Sequence, residues 1–389
     1  MNIAFITYTF PPQIGGMQNW SHQMAEAYAL AGHNVDVYHI VRGLSKHSSA
    51  LYNYIPVYID TTTDQTCVPV QFYSFKMIFK TCKFLISIRK KLQTYDIWQI
   101  TVGEPQLLRL LLTALSFFSK AKLLASSGNV IYRSRYASIS RPVKYAFADF
   151  VLKKAKSILV DGIDIKTECI KHGINADKIK VFYAGVNTDL FKPSDTLSAF
   201  ETYARNNNKG YHPGKKIILF SGRFSWENSP DLFLDVLKDI PDVQLIMVGN
   251  GPMMSSLQKK ALHSSSPVHF WEALPYNDLP LVYGAADLCF YPLSKYIGGI
   301  SQVIPLSMSC GAVVVTRTIG DNIALVKNAF NGFILDESDI DGIRKTIQCV
   351  LNGEIDIAGI RKNARDTIIN HWSIERRNLE YAQFLRELQ

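Results

Sequence analysis

Cysteine is sparse in this chain, and no cysteine lies near another. The six among 389 residues (Cys67, Cys82, Cys169, Cys289, Cys310 and Cys349) include no Cys-x-x-Cys pair and no His/Cys group at metal-ligand spacing. That excludes a disulfide framework and a zinc module, and it implies a reduced, cytoplasmic compartment. Long hydrophobic runs are also missing. No stretch approaches the roughly 18 uninterrupted apolar residues of a bilayer-spanning helix. The chain passes from Met1-Asn2 directly into an apolar run, so no signal peptide is expected. Low-complexity tracts and short-period repeats are absent as well. Acidic residues are in deficit, 33 against 42 Lys and Arg, for a formal charge of +9. Such an excess favours an anionic partner: nucleotide phosphates, a phospholipid surface or nucleic acid. With no basic motif interleaved with aromatics and no nucleic-acid module, nucleic acid is not expected.

What is present reads as α/β. The length suits two domains, and 47% hydrophobic residues can fill two cores. Ile3-Ala4-Phe5-Ile6-Thr7-Tyr8 is a short apolar run of the kind found in buried parallel strands. A loop with Gly15-Gly16 follows, then a helix over 18–31 stopped by Gly32, then a strand at 35–40. Strand, glycine turn, helix and strand open a doubly wound sheet. The same grammar restarts with strands at 216–220, 243–248, 288–291 and 312–315 and a helix near 230–237. Between the halves, residues 187–214 are polar and read as a linker.

The order and spacing of short motifs add to this. Pro11-Pro12-x-x-Gly15-Gly16, Gly32-His33-x-Val35, Ala184-Gly185-Val186-Asn187, Phe191-Lys192-Pro193, Ser221-Gly222-Arg223, Gly249-Asn250-Gly251-Pro252, Ala285-Ala286-Asp287, Met308-Ser309-Cys310-Gly311 and Asn331-Gly332 follow one another along the chain. Together they resemble the retaining glycosyltransferases of family 4, over some 370 residues. The resemblance implies a GT-B fold: two Rossmann-like domains, 1–190 and 210–370, with parallel sheets facing a central cleft. The first is the acceptor side, onto which a terminal helix at 372–389 packs back; the second binds a nucleotide sugar. No bound metal or other cofactor is expected. Physically, Gly15 and Gly16 let backbone N–H groups approach a phosphate or sugar. Arg223, just after a strand, supplies a fixed cation for a diphosphate. Gly298-Gly299-Ile300-Ser301 opens a helix over 302–310 whose first N–H groups favour an anion. Gly249, Asn250, Gly251 and Leu274 complete the expected donor side.

The chain departs from the family where the chemistry is done. The family's two glutamates, seven residues apart, align with Gly298 and Leu306. The lysine five residues after the strand-end arginine aligns with Asn228, which can donate to a phosphate without charge. A histidine-bearing strand end aligns with Trp98-Gln99-Ile100-Thr101, and a His-Asp pair with Ser127-Gly128-Asn129. Loss of one cation weakens diphosphate binding, since charged hydrogen bonds are about twice as strong as neutral ones. Two readings follow: a divergent enzyme using Arg223 with Ser301 or Gln302 in replacement roles, or a degenerate subunit that supports an active glycosyltransferase or binds a glycan. The acceptor is expected to be a glycan or lipid-linked, in surface polysaccharide or glycoconjugate synthesis.

Finally, the helical stretch 75–92 places Lys76, Lys80, Lys83, Lys90 and Lys91 within one arc, with apolar residues filling the rest. A second apolar helix is expected over 107–124, followed by Arg133, Arg135, Arg141 and Lys144. This basic face is either a solvated surface or a peripheral docking site for an anionic membrane.

Overall fold

The computed structural model describes residues 1–12, 15–42, 47–60, 75–101, 106–128, 141–193, 196–237, 239–294, 298–336 and 338–389. Two compact units emerge: residues 1–185 joined by 375–389, and residues 186–374. The first contains β1 (Asn2–Thr7), α1 (Gly16–Leu30), β2 (Asn34–Arg42), β3 (Asn53–Asp60), α2 (Phe75–Leu92), β4 (Ile97–Thr101), α3 (Gln106–Ser116), β5 (Lys122–Ser127), α4 (Arg141–Lys154), β6 (Ser157–Val160), α5 (Ile163–Lys171) and β7 (Ile179–Val181). The second contains α6 (Thr196–Asn206), β8 (Lys216–Ser221), α7 (Pro230–Leu237), β9 (Val243–Val248), α8 (Met254–Ala261), β10 (Val268–Trp271), α9 (Leu279–Ala285), β11 (Leu288–Tyr291), α10 (Val303–Ser309), β12 (Val313–Arg317), α11 (Asn322–Leu325), β13 (Phe333–Leu335), α12 (Ile340–Leu351) and α13 (Ile357–His371). The last helix, α14 (Ile374–Leu388), lies almost wholly in the first unit.

In the first unit seven parallel strands run in the order β3-β2-β1-β4-β5-β6-β7. Both faces are covered, so successive strand residues enter different cores. Ile3 and Phe5 meet Trp20, Met24 and Tyr28 of α1 and Tyr381, Phe384 and Leu385 of α14. Ala4 and Ile6 face the opposite layer, with Leu85 and Leu92 of α2, Leu112 of α3, Leu152 of α4 and Ile165 of α5. Gly32 ends α1 at φ 85°; its N–H donates to Ala29 O and that of His33 to Tyr28 O, the bonding of a left-handed helix stop. Gln23 of α1 fixes the far end of the unit, donating to Gly185 O and accepting from Gly185 N–H at 2.8 and 2.7 Å.

In the second unit the order is β10-β9-β8-β11-β12-β13, again all parallel. One core joins Ile218, Phe220, Leu245, Met247, Leu288 and Phe290 to Phe233 and Leu237 of α7 and Ile343 and Ile347 of α12. The single polar side chain facing out of β9 mid-strand, Gln244, is fully buried and satisfied by the backbone of His212 and Lys215.

Several sequence expectations change here. The apolar stretch 107–124 is a helix and a strand, α3 and β5, because Ser119 and its neighbours turn the chain between them; composition cannot tell a buried strand from a buried helix. The polar stretch 187–214 is part of the second unit and carries α6, whose Phe200 stacks on Trp271 at 5.2 Å. The terminal helix starts at Ile374, after a break at Trp372-Ser373. On α2, Lys83 and Lys90 are exposed but Lys80 is half-buried, and Phe79 and Ile86 stand on the same exposed face as the lysines. Cys67, Asn129, Arg133 and Arg135 lie outside the described residues, as do the side chains of Lys76, Arg141 and Lys144.

Segment 187–193 is held by one cation. Arg365 of α13 donates to the carbonyls of Thr188 (2.8 Å), Ser309 (3.0 Å) and Phe191, and to Ser309 Oγ (2.8 Å), while Ser309 Oγ donates to Phe191 O. Arg365→Ala strips partners from several carbonyls at once and is expected to lower stability by about 2–3 kcal/mol, read as a reduced urea midpoint with unchanged slope.

Candidate functional site

In each sheet the strand order reverses beside the first strand of the unit, and ligands of open α/β sheets lie outside the carboxyl ends of strands at such a point. In the second unit the reversal falls between β8 and β11. The loop after β8 holds Arg223 and Asn228; the loop after β9 holds Gly249, Asn250 and Gly251. These two loops are clasped backbone to backbone. Gly222 N–H donates to Val248 O, Phe224 N–H to Asn250 O and Met253 N–H to Phe224 O, at 2.9–3.0 Å. A Cβ on Gly249 would lie 1.9 Å from Gly222 O, and one on Gly251 2.3 Å from Phe224 O. The glycines are therefore required by loop packing, and Gly249 also sits at φ 149°.

The clasp leaves Arg223 at the surface, exposed, its guanidinium with no hydrogen bond or ion pair among the described residues. Asn228 is turned inward to cap this loop: its Nδ2 donates to Arg223 O at 2.8 Å. The amide expected to meet a phosphate thus spends one of its two N–H donors on shaping the turn around the arginine. Ser294 N–H donates to Glu227 O at 2.8 Å, tying the loop after β11 to the same turn. Glu227, in the same loop as Arg223, was not singled out by any spacing rule.

Beyond β11, Gly299 is buried at φ 63° and its carbonyl accepts from Asp321 N–H at 3.0 Å. Gly298 and Ser301 are half-buried and Ile300 is buried. Helix α10 starts at Val303, not at Gln302, and spans seven residues. Gln302 occupies its N-cap without a side-chain cap, its Oε1 buried and unpartnered among the described residues. Leu306 is 4% exposed. Leu274, past β10, is likewise buried. Below the loops, Ser221 Oγ lies 3.0 and 3.2 Å from the hydroxyls of Tyr283 and Tyr291. The Asp-x-Asp triplet Asp339-Ile340-Asp341 caps α12: Asp339 accepts from Gly342 N–H at 2.8 Å and Asp341 pairs with Arg344. Among the described residues no group of three His, Cys, Asp or Glu could hold a metal ion.

In the first unit the reversal falls between β1 and β4. Gly15 and Gly16, both exposed, follow β1 and open α1. A row of hydroxyls crosses this edge: Ser126 and Thr101 at the ends of β5 and β4, then Thr7, Thr9 and Ser21, each 3.0–3.5 Å from the next. Arg109 of α3 is buried beside a cavity lined by Thr7, Tyr8 and Thr101. Gly128 leaves no room for a Cβ, which would meet Met17 Sδ and Asp161 Oδ2. Only Thr101 and Gly128 fall in stretches that the resemblance singled out; Thr7, Thr9, Ser21, Arg109 and Ser126 carried no sequence signal, since they come from separated segments.

The same edge carries an aromatic nest around Phe10. Its ring lies 5.7–6.2 Å from those of His22, His39, His47, Tyr52 and Tyr54. The Tyr52 hydroxyl bridges His22 Nδ1 and His47 Nε2 at 2.8 and 2.7 Å, and His39 Nδ1 lies 2.8 Å from the Tyr54 hydroxyl. Burial lowers the pKa of all three imidazoles, that of His39 to about 4. A histidine depressed by folding gives up stability as pH falls below its unfolded value of 6.5, until its folded value is reached. At pH 5 the loss from His39 is roughly 2 kcal/mol. The urea midpoint is expected to drop between pH 7.5 and 5, and less so in His39→Gln.

Comparison with known proteins accords with this geometry. The family model described as glycosyl transferases group 1 matches residues 203–367. The D-inositol 3-phosphate glycosyltransferase of Mycobacterium sp. (strain KMS) is 28% identical over 189 residues, 46% of this chain; the matched region spans 41% of that relative's own length. Among solved structures, sucrose-phosphate synthase from Thermosynechococcus elongatus superposes with a TM-score of 0.80 at 19% identity, covering 100% of this chain and 98% of that one. Anabaena HepE in complex with UDP-glucose superposes at 0.74 and 16% identity, covering all of both chains. The chain has the GT-B fold, and its second unit carries the region similar to glycosyl transferases of group 1.

Proposed function

We propose that the protein is a glycosyltransferase, of family 4 and retaining type, moving a sugar from a nucleotide-sugar donor to a glycan or lipid-linked acceptor. The observation that carries this reading is Arg223: an exposed cation without an internal partner, held at the carboxyl end of β8 where the second sheet reverses, inside the region matched by the glycosyl transferase model. Stabilising a departing diphosphate is electrostatic work, which a fixed guanidinium does well. A uridine nucleotide is the first donor to try, because HepE of the same fold was solved with UDP-glucose. Gly298 and Leu306 leave no carboxylate at the family's two positions, so the donor is held mainly by Arg223 and backbone N–H groups. No bound metal takes part in this reading, and peripheral work at a cytoplasmic membrane face suits an acceptor carried on lipid.

Calorimetry with UDP, GDP and ADP tests the proposal. One of the three is expected to bind, unaffected by a chelator, and Arg223→Ala is expected to weaken that binding by about 1.5–3 kcal/mol. Absence of binding by all three would favour a degenerate partner subunit; undiminished binding by the variant would make Arg223 structural.

A further inference from the structure

The outer surface of the helical layer α2–α4 combines two features that a solvated surface seldom shows together. Large apolar side chains stand out from it: Phe118 is 84% exposed, Phe79 70%, Ile86 61% and Phe117 57%. They do not belong to the core packed beneath the same helices, where Leu85, Leu112 and Leu152 do that work. Phe117 stacks on Phe150 of α4 at 6.3 Å, and Lys154 Nζ lies 3.8 Å over the Phe117 ring. Phe117 and Phe150 form one exposed aromatic pair, Phe79 and Ile86 a second exposed apolar set along α2, and exposed apolar surface of this kind marks an interaction site.

The charge is one-sided. Helix α2 carries six basic residues and no acid, α3 has no acid, and α4 has only Asp149. Lys91 is spent on Asp36 at 2.6 Å. Lys83 and Lys90 remain exposed, four residues after Phe79 and Ile86 on the same helix face, and Lys120 and Lys153, three residues after Phe117 and Phe150, are exposed as well. A second copy of this face would bring like charges together, so self-association is opposed. The complementary partner is negatively charged and accepts inserted aromatic rings without a shaped groove. An anionic bilayer interface meets both conditions.

We propose that α2, the end of α3 and α4 form a membrane-docking face, with the phenylalanines and Ile86 entering the headgroup–acyl boundary and the lysines contacting anionic lipid. This stands on surface composition alone and is independent of the sugar-transfer reading. The lysine arc is therefore only half of the device, and the aromatic residues are the other half.

The test is co-sedimentation of the full chain, without nucleotide, with vesicles of phosphatidylcholine alone or mixed with phosphatidylglycerol. Binding to the mixed vesicles only, weakened by salt, is expected. Replacing Lys83 or Lys90 by Gln should reduce partitioning by about fivefold each. Phe79→Ser with Phe118→Ser should reduce it by at least about tenfold at an unchanged melting temperature, since both side chains are exposed. Wild-type protein that stays in the supernatant, or a double serine variant that sediments as the wild type does, overturns the proposal. So does a concentration-dependent dimer that the double variant dissolves, which would assign the face to a second copy.

Discussion

The placement of Arg223 depends on two peptide backbones meeting with no side chain between them. The loops after β8 and β9 touch through Gly222, Gly249 and Gly251, and three backbone hydrogen bonds close the contact. A methyl group at Gly249 or Gly251 would overlap a carbonyl oxygen of the facing loop. The clasp gives the Arg223 backbone one course, and the Asn228 side chain closes the turn behind it. An arginine free in solution would spend entropy on every hydrogen bond to a phosphate; here its stem leaves a backbone already ordered.

The first unit is organised differently. The edge where its strand order reverses is made from hydroxyls and imidazoles, satisfied by one another in a chain from Ser126 to Ser21 and in the nest around Phe10. A tyrosine hydroxyl has one proton to give, so Tyr52, set between two imidazoles, must accept from one while donating to the other. That arrangement is internally complete only when at least one of the two rings lacks its second proton.

How much of this was readable beforehand follows from the range of each signal. Strands such as 243–248 and 288–291, and helix α2, are local patterns and emerge at the residues expected. The glycine pairs and Arg223 were legible because each motif sits within one loop. The meaning of the glycines was not: whether Gly249 serves a ligand or a neighbouring loop depends on Gly222, 27 residues earlier in the chain. Asn228 likewise reads only as a phosphate donor in sequence, and its bond to the Arg223 carbonyl, which shapes the turn, is seen only in the fold. Leu306 marks a missing carboxylate in sequence, and only burial shows that its position is packed. The exposed phenylalanines escaped notice because an apolar residue in a helix is assigned to the core by default, whereas Phe79 points the other way.

The return of α14 to the first unit has a consequence for the order in which the chain becomes structured during synthesis. Residues 186–374 form a contiguous body that can close once its own last strand and helices have left the ribosome. The first unit begins earlier but cannot finish: Trp20 and Tyr28 lack Tyr381, which stacks on Phe182 at 4.5 Å, until the final residues emerge. Until then one face of its sheet is an apolar surface in need of cover. The unit that begins earlier is thus completed after the other, and until residues 375–389 are made it is the half that a chaperone would find exposed.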